Sequence, residues 1–470
     1  MNRLSFTELL FLLTFVFAGL YTSYVISFDT NRPVYYTNLY WLPFTYSVLS
    51  ILFYRIYVGI NRNLVYLLVV TLYSLRNVFT PLMMYYGEYS GFFTRLTIDN
   101  VNKAVALLCF ENICVFAYLY ERYKKDVLRI NTSERHIYRQ IKKGDYICGV
   151  LLILYLFFCI ISYWMIPAIR ESYSSIFAAD ALLDVGADAP SRGIIRVVFT
   201  LFILAFNVVR ILIPIAIIYF FRKKMGHSWL GIFIGFFLGL SQFFFVGGET
   251  MYVLLVFFLI IGIIYKLFYR CRKKIAILGG IIVLVPFIYL SVLKANAGVG
   301  ESTDSIFNQL SMFMQAYLPG VCNVAAFFNV NNPNKLSTLF FDFYTMIPFR
   351  GTLFGLEGDR LVIVYTKQNN TPFQILPCIS QSYHYIGILA PIVPCLLIRF
   401  AIYIQAKFRR SVNIWQYTFY LLAMVYVSVS PILYNVTILG VWLFATLLSM
   451  FLLIVLTGKS SFFINEIKEK

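Results

Sequence analysis

Charged residues are scarce in this chain, and their scarcity excludes a soluble globular protein. Only 13% of the 470 residues are charged and 60% are hydrophobic, so a soluble domain of this length would lack a polar surface. Apolar runs of about 20 residues recur, each long enough to cross a hydrocarbon core about 30 Å thick. The short alternating segments of a β-barrel are absent. The sequence therefore predicts an all-α, polytopic integral membrane protein.

Acidic residues are also few, with 21 Asp and Glu against 39 Lys and Arg. The excess of positive charge is not spread evenly, and it predicts topology rather than a nucleic-acid partner. Cytoplasmic loops retain Lys and Arg, so basic clusters mark the inner side of the membrane. These clusters lie at residues 55–62, 122–143, 222–224, 266–274, 407–410 and 459–470.

The apolar runs and the basic clusters agree on a layout of about twelve spans with both termini cytoplasmic. One large external loop separates the ninth and tenth spans. The predicted spans are residues 6–26, 39–57, 64–86, 104–120, 146–166, 195–221, 229–246, 251–268, 275–293, 385–404, 415–433 and 436–456.

Three regions follow from this layout: residues 1–293 with spans one to nine, residues 294–382 as the external loop, and residues 383–470 with spans ten to twelve and a cytoplasmic tail. In the loop, residues 303–328 have helical spacing that Pro319-Gly320 breaks. Aromatic residues cluster at 340–344. They fit either a helix at the headgroup level or stacking platforms for sugar rings.

Common catalytic signatures are missing. We find no P-loop, no Gly-rich dinucleotide motif and no HExxH sequence, and Asp29 is the one acid of the first outer loop. The eight cysteines lie mostly in apolar spans without metal-ligand spacing. Cys322 and Cys378 both fall in the external loop, and the sequence leaves open whether they pair. No metal and no cofactor are predicted.

Three arginines need an explanation. Arg76 and Arg210 lie in the middle of predicted spans, where an unpaired charge is costly. One interpretation is a buried ion pair with Glu111 or Glu249. The other is an anion site, because a guanidinium group binds phosphate oxygens in a bidentate fork. Arg196, at the outer end of the span that holds Arg210, would belong to the same site.

Histidine is equally rare, with three residues in the whole chain. His384 is the one that the topology places outside, where the large loop enters the tenth span. An imidazole can accept a proton from a hydroxyl nucleophile near neutral pH. A single histidine at the mouth of a helix also serves structure, and both interpretations stay open at this point.

The layout resembles that of Wzy-type polysaccharide repeat-unit polymerases and the related O-antigen ligases. The resemblance covers nearly the whole chain as architecture. His384 with Gly387 is similar to the ligase pattern of a histidine before the helix that follows the large loop. Tyr317, Gly320 and Asn323 look like the tyrosine–glycine–asparagine pattern in the outer loop of oligosaccharide polymerases.

Two positions depart from the family pattern. Glu249, in a Gly-Gly turn, stands where the family commonly has arginine, and Tyr385 follows His384 where the ligases have asparagine. These departures affect the roles assigned to single residues more than they affect the resemblance to the family.

The resemblance implies a bacterial cytoplasmic-membrane enzyme that polymerises polyprenyl-diphosphate-linked oligosaccharides on the outer face. His384 would be the base, and Arg76, Arg196 and Arg210 would stabilise the diphosphate charge without a metal. Further substrate-binding residues would be Glu249, Tyr317 and Asn323. Membrane lipids and other polysaccharide assembly proteins, such as a flippase or a chain-length regulator, are the implied partners.

Other functions remain open. An O-antigen ligase would share the layout. A lipid-linked oligosaccharide flippase would need buried arginines too, although alternating access favours internal repeats, which we do not find. A glycosyltransferase that uses polyprenyl-phosphate sugars usually carries an acidic pair in the first outer loop, and this chain has none there.

Overall fold

The part of the chain that the computed structural model describes is helical. It comprises residues 4–30, 32–60, 63–88, 96–126, 143–172, 194–225, 229–244, 250–268, 271, 274–275, 278–279, 306–332, 334–347, 358–369, 375–411 and 414–457. Within these ranges no β-strand occurs, so the predicted all-α class is confirmed.

The helices are numbered here in chain order. They are α1 Phe6–Phe28, α2 Trp41–Leu52, α3 Leu64–Tyr86, α4 Ile98–Asp126, α5 Lys143–Met165, α6 Pro167–Ser172, α7 Ile194–Met225, α8 Trp229–Leu240, α9 Thr250–Leu267, α10 Ile306–Tyr317, α11 Val321–Phe327, α12 Lys335–Met346, α13 Leu361–Asn369, α14 Cys378–Ile386, α15 Ile392–Arg410, α16 Ile414–Leu433 and α17 Val436–Val455.

Six of these helices are long and apolar enough to cross a membrane: α1, α3, α4, α7, α16 and α17. A seventh candidate is α14 with α15, if the bent pair counts as one span. Shorter apolar helices add Gly149–Met165, Trp229–Phe243 and Leu255–Tyr265. The chain is therefore a multi-pass helical membrane protein. Most of the predicted ninth span lies outside the described residues.

Side chains that cap helices fix several of the predicted ends. Ser5 and Glu8 form a capping box at the start of α1, where the Ser5 N–H donates to the Glu8 carboxylate at 2.9 Å. The Asn63 side chain accepts from a backbone N–H at the start of α3. Asn435 does the same for α17, with 2.8 Å between its Oδ1 and the Ile438 nitrogen. The predicted turn at residues 434–435 is therefore confirmed.

The predicted tenth span, residues 385–404, is not one straight helix. The chain ends α14 at Ile386, and Gly387 then adopts a φ of +58° that side-chain-bearing residues rarely take. After the turn, α15 begins at Ile392 and is bent by 113° from α14. Tyr385 therefore belongs to the helix before the bend, and the predicted tenth span is broken at Gly387.

Helices from the region predicted to be an external loop pack onto the bundle. The predicted break at Pro319-Gly320 is present, since it separates α10 from α11. α10 contacts the end of α3, α11 lies along α4, and α12 contacts α17 and α14. Val321 and Ile379 share one buried apolar cluster with Leu108 of α4. Cys322 and Cys378 are both buried and both free.

Candidate functional site

Two buried polar clusters lie near α14. The first, here the ion-pair cluster, consists of Tyr73, Arg76 and Asn77 on α3 and Glu111 and Asn112 on α4. Arg76 donates to Glu111 Oε2 at 2.8 Å, and the Tyr73 hydroxyl donates to Glu111 Oε1 at 2.7 Å. Asn77 donates to Asn112 at 2.7 Å. Arg76 is 1% exposed and Glu111 is fully buried, so the charges neutralise each other out of contact with solvent.

The local shape of α3 produces this cluster. Residues Leu75–Phe79 form a π turn, which inserts an extra residue into the helix. The Thr80 hydroxyl donates to the Leu75 carbonyl at 2.9 Å within that turn. The extra residue lets Arg76 contact Glu111 while the next residue, Asn77, contacts Asn112. Of the interpretations that the sequence left open for Arg76, the structure shows an ion pair, and its partner is Glu111.

The beginning of α14 lies against the ion-pair cluster. α14 contacts α4, the helix that carries Glu111 and Asn112. Immediately before α14, the Ile375 carbonyl accepts from the Asn323 side chain at 3.3 Å. Asn323 is fully buried on α11, and its carbonyl accepts from the Tyr365 hydroxyl at 3.3 Å. The structure thus brings Arg76 and Asn323, two predicted site residues, to the same end of α14.

The second cluster, here the carboxylate–histidine cluster, consists of Asn332, Asp342, Gln381, His384 and Tyr385. Asp342 is 1% exposed. Its Oδ2 accepts from the Gln381 side chain at 2.8 Å and from the Tyr385 hydroxyl at 2.7 Å. Its Oδ1 accepts from the backbone N–H that begins α13, at 3.2 Å. Within the described residues Asp342 has no ion-pair partner, so neutral donors stabilise its charge.

The burial of Asp342 follows from an inverted amphipathic helix. On α12 the buried side chains include Thr338, Asp342 and Thr345, while Leu336 and Phe340 on the other face are 83% and 52% exposed. A helix that turns its apolar face outward and its polar face inward fits contact with lipid on the outside. The exposed Phe340 fits both roles that the sequence left open, a position at the headgroup level and a stacking platform for a sugar ring.

His384 lies at the edge of the same cluster and is 7% exposed. Its Nε2 is 3.3 Å from Asn332 Nδ2. The Asn332 amide has a defined orientation, because its Oδ1 accepts from the Asn334 N–H at 3.1 Å. Asn332 therefore presents its NH₂ group to the imidazole, and Nε2 must act as the acceptor. This network assigns His384 as neutral, with its proton on Nδ1.

Two cations lie close to this cluster. Lys335, at the start of α12, interacts electrostatically with His384, and Arg360 interacts with Asp342. Burial lowers the pKa of Arg360, and the negative charge of Asp342 opposes that shift. The arrangement combines a neutral imidazole, a buried carboxylate and two cations. Such a set suits proton transfer beside an anionic group.

Arg210 lies on α7 and is held by Gln242. Its guanidinium group donates to the side chain and the backbone carbonyl of Gln242, each at 2.7 Å, and stacks over Phe206 at 5.6 Å. Arg196 is on the same helix, α7, at a separation of about 21 Å for a rise of 1.5 Å per residue. The two arginines therefore lie at different depths along the helix.

Two other predicted site residues are not seen in full. Glu249 lies outside the described residues. Tyr317 ends α10, but its side chain is not among those described. Within the described part of the chain, no three His, Cys, Asp or Glu side chains are grouped so that they could hold a metal ion.

Sequence reasoning missed Asp342, Gln381, Asn332, Lys335 and Arg360. A signal for Asp342 was present. Thr338, Asp342 and Thr345 share the spacing of one helical face in a segment that is otherwise largely apolar. In a helix that contacts lipid, such a polar face is expected to turn inward.

Comparison of the chain with protein-family models, with curated protein sequences and with solved structures found no match.

Proposed function

We propose that this protein is a membrane polymerase of polyprenyl-diphosphate-linked oligosaccharide repeat units. The observation that carries the proposal is the carboxylate–histidine cluster. His384, with Nε2 as a hydrogen-bond acceptor, directly precedes Tyr385, whose hydroxyl donates to the buried Asp342 carboxylate, and two cations lie close to the same cluster. Acceptor activation and leaving-group stabilisation require a base and positive charge together.

In the proposed reaction a sugar hydroxyl of one lipid-linked repeat unit attacks the anomeric carbon of the growing glycan. The bond from that carbon to the diphosphate oxygen breaks, and the electron pair leaves with the polyprenyl diphosphate. The hydroxyl proton passes to Nε2 of His384. For this step the acceptor hydroxyl replaces the Asn332 amide, which is 3.3 Å from the same nitrogen. A general base of this kind contributes about 10²–10⁴-fold to the rate.

Lys335 and Arg360 are the cations assigned to the departing diphosphate, because Lys335 begins the helix that carries Asp342 and Arg360 adjoins Leu361, whose N–H donates to Asp342 at 3.2 Å. Arg76 is less suited to this role, since Glu111 already neutralises it at 2.8 Å. Arg196 and Arg210 remain candidates for contact with the lipid-linked substrate along α7. The proposed reaction uses no metal ion.

The proposed setting is the bacterial cytoplasmic membrane, with about twelve spans and both termini in the cytoplasm. Labelling of single introduced cysteines with a membrane-impermeant maleimide tests it. Lys367 is 69% exposed on α13, so Lys367→Cys should react in intact cells. Ser133→Cys, in the largest basic loop, should react only after the cells are opened. Reaction of Ser133→Cys in intact cells would overturn the orientation.

Replacement of His384 tests the base. We expect His384→Ala and His384→Gln both to lower polymerisation by about 10²–10⁴-fold, because neither side chain accepts a proton at neutral pH. The readout is the length profile of lipid-linked glycans formed by the purified protein at matched amounts. A purely structural histidine predicts the other order, with Gln close to the wild type and Ala unstable. Full-length polymer from His384→Gln would end the base hypothesis.

The same assay separates the alternatives. A polymerase extends lipid-linked repeat units in vitro without another protein. A flippase does not lengthen the glycan, although it moves the lipid-linked unit across the vesicle membrane. A ligase transfers glycan only when a different acceptor is supplied, and a transferase that uses polyprenyl-phosphate sugars adds single sugars rather than whole repeat units.

A further inference from the structure

A groove of about 280 Å³ lies between α4 and α15. On α4 it is lined by Phe110, Cys114 and Tyr118, which are four residues apart and so share one helical face. Its other wall comprises the turn at 388–391 and the first two turns of α15. Ile388 is 73% exposed, so the groove opens sideways where the surface of the bundle is apolar.

A single guanidinium group lies in this apolar lining. Arg399 is exposed, and within the described part of the chain it makes no hydrogen bond, ion pair or ring contact. It lies about 10 Å along α15 from Ile392, at 1.5 Å per residue. An arginine in the apolar part of a membrane helix normally has a protein partner or faces a polar ligand. A groove that offers one cation and a long apolar wall matches the chemistry of an anionic lipid.

We propose that this groove binds an anionic phospholipid, with its phosphate on Arg399 and an acyl chain along the wall. The direction of the groove selects this occupant. Arg399 is at the end nearer to Lys407, Arg409 and Arg410, and the apolar residues extend from there toward Ile388. A phospholipid of the leaflet that faces these basic residues places its phosphate near Arg399 and its chain toward the bilayer centre.

The lipid-linked substrate fits the groove less well. Its diphosphate would react at the cluster that holds His384, which precedes Ile388 at the opposite end of the groove. A polyprenyl chain that entered from that side would bring its apolar tail, rather than its phosphates, to Arg399. The phospholipid site therefore does not depend on the proposed polymerase activity.

Photo-crosslinking tests the proposal. The full chain is reconstituted in phosphatidylcholine vesicles that contain a little phosphatidylglycerol with a diazirine in its acyl chain. We expect label on peptides that contain residues 110–118 and 388–396. Diazirine phosphatidylcholine, at the same level, should label these peptides about fivefold less, because its headgroup has no net charge and one cation near a net negative charge contributes about 1 kcal/mol.

Substitution of the arginine supplies the decisive comparison. Arg399→Gln should lower labelling by phosphatidylglycerol to the level of phosphatidylcholine, and Arg399→Lys should retain part of the preference. Arg410→Gln is the matched control, because Arg410 is also exposed on α15 but does not line the groove. Equal labelling by both lipids in the wild type, or an unchanged preference in Arg399→Gln, would refute the site.

Competition identifies the occupant. Unlabelled phosphatidylglycerol should remove the label in proportion to its amount. If an equimolar amount of polyprenyl diphosphate removed it instead, the groove would belong to the substrate lipid, and the phospholipid proposal would be wrong.

Discussion

The ion-pair cluster and the carboxylate–histidine cluster are both buried near α14, but they compensate charge in different ways. In the ion-pair cluster Glu111 faces Arg76 at 2.8 Å, so the net charge is zero. In the other, neutral donors hold Asp342, and the nearby cations act at longer range. A neutralised pair holds helices together and has little charge left for a ligand. A carboxylate stabilised only by hydrogen bonds keeps its charge available to the surrounding site.

The largest effect is expected at the ion-pair cluster. Glu111→Gln leaves the Arg76 charge buried without its counter-ion, which costs about 3–5 kcal/mol. We expect low yield and a strongly reduced thermal unfolding temperature in detergent, measured by size-exclusion chromatography of heated samples.

The double variant Arg76→Met with Glu111→Leu removes both charges and keeps apolar volume, so it should recover most of the lost stability. If Glu111→Gln were as stable as the wild type but inactive, Glu111 would serve chemistry rather than cohesion. The contrast between the two clusters would then fail.

A smaller effect on stability is expected at Asp342. Asp342→Asn replaces an acceptor oxygen with a donor NH₂, although both oxygens of Asp342 accept hydrogen bonds. The unmade bond should cost about 1–3 kcal/mol. If the cluster is the active site, polymer synthesis should fall further than the amount of folded protein.

Asp359→Asn is the matched control for this change. Asp359 precedes α13, is exposed, and pairs with exposed Lys367 at 3.4 Å. Its loss should change stability by less than about 1 kcal/mol. If Asp342→Asn also left the activity per folded molecule unchanged, Asp342 would have a structural role alone.

An effect on stability of the same size as for Asp342→Asn is expected at the turn that follows His384. Gly387→Ala places a Cβ at a φ of +58°, which costs about 1–3 kcal/mol of strain although no atom lies within 4 Å of that Cβ. We expect a modest loss of stability and a larger loss of polymerisation, because the strain shifts α14 relative to α15.

Gly59→Ala provides a comparison, since Gly59 has a φ of +74° and similarly open space far along the chain from His384. It should lower the unfolding temperature without reducing activity per folded molecule. If the two alanine variants had the same activity, the geometry at Gly387 would not matter for the site.

Much of the helical organisation could be predicted from the sequence, because hydropathy and helix signals are local. The break at Pro319-Gly320 and the turn before Asn435 are examples. The bend at Gly387 was missed because the apolar pattern continues through it. The presence of a glycine in a sequence does not by itself indicate a positive φ angle. Of the site residues, His384 and Arg76 were singled out by rarity and by depth, whereas Asp342 looked like one polar residue on an interfacial helix.

By itself, then, the sequence determined that this chain forms membrane helices and where most of them begin and end. Only the tertiary structure decided that Arg76 pairs with Glu111, and that Asp342 turns inward to meet Tyr385. The physical reason is the distance along the chain over which each interaction acts. About 20 consecutive residues suffice to set the free energy of transferring a helix into lipid. The partner of a buried charge comes from a distant segment and depends on how the helices pack.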